Sequence, residues 1–92
     1  LLVIDIGNTN TSLGVYDGEN LTAHWRMNTV RDRTADEVGV LARQMFAVSE
    51  IDYRKIDSVI VASVVPPLNY TFQKMSEIYF GQRAVFVSNS LD

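Results

Sequence analysis

Leu1-Leu2-Val3-Ile4-Asp5-Ile6-Gly7-Asn8-Thr9-Asn10-Thr11-Ser12 opens the chain, and its reading decides how the rest is arranged. Leu1 to Ile6 is an apolar run with a single carboxylate, Asp5. A run of this length reads as a strand, here about Leu1 to Gly7, buried on both faces. It has no basic leader and is too short for a signal peptide. A carboxylate inside such a strand is costly unless a cation or hydrogen-bond donors compensate it. Gly7 and Asn8 tolerate the positive φ of a tight reversal. A turn of this kind also directs backbone N–H groups into one concavity, where an anion can sit. A carboxylate beside an anion cradle suggests a place where a metal-bound phosphate is held.

Working outward, a second strand is expected at about Thr11 to Tyr16, with Asp17-Gly18 as a type I′ hairpin signal. A third follows at Leu21 to Asn28. There Leu21, Ala23, Trp25 and Met27 alternate with Thr22, His24, Arg26 and Asn28. Thr34-Ala35-Asp36-Glu37 forms a capping box, and Val38, Leu41, Ala42, Met45 and Phe46 then recur at helical spacing. The pattern predicts a helix at about 35–49, with Gly39 a mild internal weakness. Ile56 to Val65 is a second β-rich run, ended by Pro66-Pro67. Proline also suits a helix's first turn, and Leu68, Phe72, Met75 and Tyr79 continue at helical spacing to a stop at Gly81. Arg83 to Ser88 reads as a last strand.

The order is therefore β-β-β-α-β-α-β: an α/β, ribonuclease H-like half-domain whose five-stranded mixed sheet has helices packed on it. Strands joined through a helix run parallel with right-handed crossovers, which places the first strand near the centre. The ligand crevice is expected beyond the carboxyl ends of the parallel strands, where Asp5 and Gly7 sit. The sequence stops at Asp92 directly after a strand, so the expectation is a fragment of a larger fold.

Bulk properties narrow the function. With 92 residues, 47% hydrophobic and 21% charged, the chain is ordinary globular material. A net charge of −3 offers no electrostatic footprint for nucleic acid and argues against an anionic membrane surface. No cysteine is present, which excludes a disulfide frame or thiolate metal site and is compatible with the cytoplasm. No apolar stretch approaches the ~20 residues that span a bilayer. No Gly-x-Gly-x-x-Gly follows the first strand, so a dinucleotide fingerprint is missing.

The sheet order and the Asp5-x-Gly7-Asn8-Thr9 turn resemble the first half of the sugar kinase/Hsp70/actin ATPase fold. The match narrows with the stretch DIGNTNTSLGVYDG from Asp5 to Gly18, with Trp25-Arg26, with the Thr34–Glu37 cap, and with Ala62-Ser63-Val64-Val65-Pro66. Together, in this order, they resemble the N-terminal domain of type III pantothenate kinases, across essentially residues 1–92. The resemblance implies ATP-dependent phosphorylation of pantothenate, the first step of coenzyme A synthesis. It further implies a cytoplasmic homodimer that needs Mg²⁺ or another divalent ion and a monovalent cation, K⁺ or NH₄⁺. The segment Asp5, Ile6, Gly7, Asn8, Thr9, Asn10, Thr11 and Ser12 matches the family's ATP phosphate loop, with Asp5 as metal holder. The family's catalytic carboxylate lies in a Gly-x-Asp-Arg motif that this chain lacks. It is expected downstream of Asp92, in the absent second half of the fold. The fragment alone is then expected to be inactive.

Each residue also has a plainer reading. The opening turn is otherwise a polar hairpin, and a lone acid in a central strand is a pointer to function without being proof. Ser63, Val65 and Asn69 could shape the acceptor side of the crevice, or simply form a strand-to-helix junction in which Asn69 caps. His24 reads as solvated; Trp25, Met27, Phe46, Phe72 and Met75 read as core. Arg26, Arg31 and Arg33 form the one basic cluster. They read first as solvated charge, and alternatively as contacts to a partner domain or an anionic ligand. Two other functions share parts of this pattern. A ribonuclease H-like nuclease would need more carboxylates converging on Asp5. A non-enzymatic transcription accessory factor would need a DNA-binding surface that the acidic balance argues against.

Overall fold

The computed structural model describes residues 1–87. Strands β1 (Leu2–Ile6), β2 (Asn10–Asp17) and β3 (Asn20–Asn28) come first, followed by helix α1 (Ala35–Val48) and a 3-10 turn at Tyr53–Lys55. Strand β4 (Val59–Ser63), a 3-10 turn at Pro66–Leu68, helix α2 (Asn69–Phe80) and strand β5 (Val85–Val87) complete it. Ser88, the expected end of the last strand, lies outside the described residues. The sheet order is β3-β2-β1-β4-β5. β1 is central, antiparallel to β2 and parallel to β4, as the sequence predicts.

The burial of β1 differs from expectation. Leu2, Ile4 and Ile6 are fully buried, but Val3 is half-buried and Asp5 is exposed. The reason lies in where the helices pack. Val38, Ala42 and Phe46 of α1 and Phe72, Met75 and Phe80 of α2 join one core cluster with Leu2, Ile4, Ile6, Leu13, Val59 and Val61. Those strand residues all occupy one face of the sheet. The opposite face carries Asp5 in register with Ser12 and Ala62, and Ser12 in register with Arg26. Asp5 is thus not a buried charge needing compensation; it is a carboxylate presented on an open sheet face.

Two more expectations are corrected in the β2–β3 hairpin. Asp17 pairs with Asn20, so the loop is Gly18-Glu19. Of those two only Gly18 has positive φ, at 61°. That fits a type II′ turn; type I′ needs positive φ at both positions. The register also shifts between Val15 and Tyr16, where Ala23 and Leu21 are the successive partners and Thr22 is the extra residue. A bulge of one residue reverses the facing of everything beyond it. Leu21 therefore leaves the face of Ala23, Trp25 and Met27. It lies over Gly14 on the open face, 51% exposed.

Helix α1 begins with the expected capping box. The Thr34 hydroxyl accepts from the Glu37 N–H at 3.1 Å, and the Glu37 carboxylate accepts from the Thr34 N–H at 2.8 Å. The Thr34 N–H first, and the nearby Thr34 hydroxyl second, hold the Glu37 carboxyl below its ordinary range. A depressed folded-state pKa stabilises the fold above the ordinary carboxylate pKa, and that contribution is lost as pH falls through the folded value. Stability should accordingly drop with acidification across that window, and Glu37→Gln should flatten this part of the profile. Denaturant midpoints between pH 6 and pH 3 would check it; an unchanged profile in the variant would refute the cap's role. Helix α2 closes on Gly81, which takes the left-handed conformation at φ 66°. Phe46 anchors the core, with ring centroids 5.2 Å from Trp25 and 5.1 Å from Phe80. No helix among the described residues is long and apolar enough to cross a membrane.

Candidate functional site

β1, β3 and β4 all point their carboxyl ends toward the same edge of the sheet, and the Gly7–Thr9 turn rises from its centre. Gly7 N–H donates to Asn10 O at 2.9 Å and closes the turn. A Cβ at Gly7 would lie 2.9 Å from that same oxygen, so only glycine fits. The expected positive φ at Gly7 and Asn8 is not found: Glu50, Gly18 and Gly81 are the described residues that have it. Close approach of a carbonyl is what requires the glycine.

Thr29, just past the end of β3, fixes the turn from below. Its hydroxyl donates to Gly7 O at 2.7 Å and lies 2.9 Å from the Thr11 hydroxyl. Its N–H donates to Thr9 O at 2.8 Å. Two residues on, the Arg31 guanidinium donates to Asn8 Oδ1 at 3.3 Å. The Gly7 and Thr9 carbonyls are thereby engaged. Among the described residues, the N–H groups of Asn8 and Thr9 have no intramolecular acceptor. They are the free donors of the loop.

The eight residues from Asp5 to Ser12 therefore divide by placement. Asp5, Asn8, Thr9 and Asn10 are exposed and Ser12 is half-buried. Ile6 is in the core, and the 1% exposed Thr11 spends its hydroxyl on Thr29. The Asp5 carboxylate makes no side-chain hydrogen bond among the described residues and belongs to neither of their ion pairs. Beside β1, at the carboxyl end of β4, Ser63 accepts from Val65 N–H at 3.1 Å, and Val65 is 1% exposed in the core. Asn69 keeps a free polar atom: its Oδ1 is covered and has no partner among the described residues.

This arrangement suits a polyphosphate with its metal. Mg²⁺ dehydrates reluctantly, keeps several waters, and uses one or two carboxylates plus phosphate oxygens. Asp5 fits that demand. Among the described residues no three of His, Cys, Asp or Glu gather into a protein-only metal cage. A cleft of about 560 Å³ opens at the opposite end of the sheet, lined by four acids, Asp17, Glu50, Asp52 and Asp57, against one base, Lys55. Its acidic lining disfavours phosphate. Thr29 is the residue that sequence reasoning missed. The available signal was topological: β3 runs parallel to β1, so the residue after it arrives at the same edge.

The family model for type III pantothenate kinase matches residues 1–92. The chain is 53% identical over 87 residues to a type III pantothenate kinase of Myxococcus xanthus (strain DK1622), covering 95% of this chain and 34% of that protein. To the one from Anaeromyxobacter sp. (strain K) it is 51% identical over 87 residues, with the same coverages. To the one from Solibacter usitatus it is 42% identical over all 92 residues, 35% of that protein. The chain thus spans about a third of the length of these curated relatives. Among solved structures, a ROK hexokinase from Thermus thermophilus superposes with a TM-score of 0.70 at 13% identity, covering 96% of this chain and 34% of that one. That likeness speaks for the fold alone.

Proposed function

Since the chain belongs to the type III pantothenate kinase family, we propose that its complete protein transfers the γ-phosphoryl group of ATP to pantothenate, giving 4′-phosphopantothenate. The observation that carries the reading is the free Asp5 carboxylate beside a turn whose Asn8 and Thr9 N–H groups have no internal acceptor. Phosphoryl transfer needs positioning and charge neutralisation more than covalent chemistry from the protein. In this reading the two N–H groups and the side chains of Asn8, Thr9 and Asn10 bind phosphate oxygens. Ser12, in register with Asp5, lines the base of the site.

Asp5 would hold the divalent ion, Mg²⁺ being the natural choice, which when bound neutralises charge on the phosphates. Thr29 and Thr11 keep the loop in shape. Asn69, with its uncommitted Oδ1 at the start of α2, is the candidate for the acceptor side, together with the Ser63–Val65 junction. The acceptor hydroxyl's base belongs to the part of the protein after Asp92, as do the contacts for K⁺ or NH₄⁺. A cytoplasmic homodimer completes the proposal. The nuclease and accessory-factor readings gain nothing from the relatives, which carry the kinase name.

The test is direct. The complete protein, given ATP, Mg²⁺ and pantothenate, should form ADP and phosphopantothenate in equal amounts, measured by coupled assay and mass spectrometry. ATP consumption with no dependence on pantothenate would overturn the acceptor assignment.

A further inference from the structure

We propose that Arg31 binds the terminal phosphate oxygens of the nucleotide, supplied to the site by the connector between β3 and α1. This rests on the nucleotide reading above and adds to it a cation that the Asp5–Ser12 segment does not contain.

The connector is built to present this side chain. At one end Thr29 is tied to the turn by its N–H and its hydroxyl. At the other, Thr34 is tied into α1 by the capping box. Between them Arg33 N–H donates to Val30 O at 3.3 Å, closing a turn with Arg31 and Asp32 at its tip. A residue at a turn's tip projects outward, and Arg31 projects onto Asn8. The guanidinium has five N–H donors in a rigid fork. One rests on Asn8 Oδ1, which fixes the group at the rim of the loop, beside the free N–H groups of Asn8 and Thr9. No described carboxylate forms an ion pair with it. An exposed, unneutralised fork held against an anion cradle matches phosphate geometry, to which arginine binds in bidentate fashion. Asn8 acts here as the positioning residue.

Binding of ATP and of AMP to the complete protein, by titration calorimetry with Mg²⁺, separates this from a structural role. Arg31→Met should weaken ATP by about ten- to hundredfold, the usual range for a hydrogen bond to a charged group. It should leave AMP affinity, the KM for pantothenate and the melting temperature unchanged. Arg31→Lys should recover part of the loss, since it restores charge without the fork. Unaltered ATP affinity in Arg31→Met would overturn the proposal. So would equal weakening of ATP and AMP, the result expected if Arg31 only braces the loop. Wild-type protein that binds ATP yet leaves pantothenate untouched would instead remove the acceptor assignment, with the ATP-against-AMP comparison still deciding the role of Arg31.

Discussion

Asp5→Asn in the complete protein should lower kcat/KM for ATP by about 10²-fold or more, the scale on which loss of a single preorganised electrostatic group acts. Melting temperature should barely change. Both expectations follow from where the carboxylate sits. Asn has nearly the same shape, and the side chain is exposed on the open sheet face, so no packing is lost. Substitutions away from the core and from hydrogen-bond networks usually fall within about 0.5 kcal/mol. The charge, in contrast, is what a divalent ion requires, and one or two carboxylates are all that Mg²⁺ takes from a protein in such sites. Steady-state kinetics across a Mg²⁺ series would reveal it. The variant should need more Mg²⁺ for half-maximal rate, and a normal turnover with normal Mg²⁺ dependence would remove Asp5 from the metal's environment.

The same residue marks what the sequence could and could not disclose. The strand, its central place and its polar end were legible because a short apolar run followed by Gly-Asn leaves few other readings. The facing was not. Leu2, Val3, Ile4 and Ile6 are all apolar, so alternation between a covered and an open face leaves no trace in composition. Only the placement of both helices on one side settles it. The bulge at Thr22 was hidden for a similar reason: no glycine or proline punctuates it, and Leu21 continues an apolar alternation that the register shift cancels. Thr29 is joined to Gly7 across 22 residues of sequence, a relation that no local pattern encodes. Local chemistry was read correctly at the helix ends, though not at the Asp17-Gly18 and Gly7-Asn8 turns. The capping box at Thr34–Glu37 and the left-handed stop at Gly81 depend on neighbours within a turn, and both are present.

Gly39 completes that contrast and carries the second large effect. In a helix interior, glycine is weaker than alanine by roughly 0.5–1 kcal/mol. From sequence, Gly39→Ala would therefore be expected to stabilise. The structure reverses the sign. Gly39 is buried where α1 meets α2, and a methyl group there would occupy the space of the Tyr79 ring. The ring has little freedom to withdraw. Its hydroxyl donates to Asp36 Oδ1 at 2.7 Å, a bond that also raises the phenol's pKa, and its own carbonyl accepts from Arg43 Nη1 at 3.3 Å. Arg43 is itself stacked 3.4 Å over Tyr53. Overpacking against a held neighbour costs about 1–3 kcal/mol, which exceeds the propensity gain. Gly39→Ala should thus lower the denaturant midpoint, and adding Tyr79→Ala should recover part of the loss, so that the two changes are non-additive with a favourable coupling. A midpoint that rises on Gly39→Ala would mean the ring yields. The consequence reaches the site as well: Thr34, the N-cap of α1, anchors the connector holding Thr29 and Arg31 against the loop. A variant that shifts α1 on α2 should therefore weaken ATP binding without touching any residue of the Asp5–Ser12 loop.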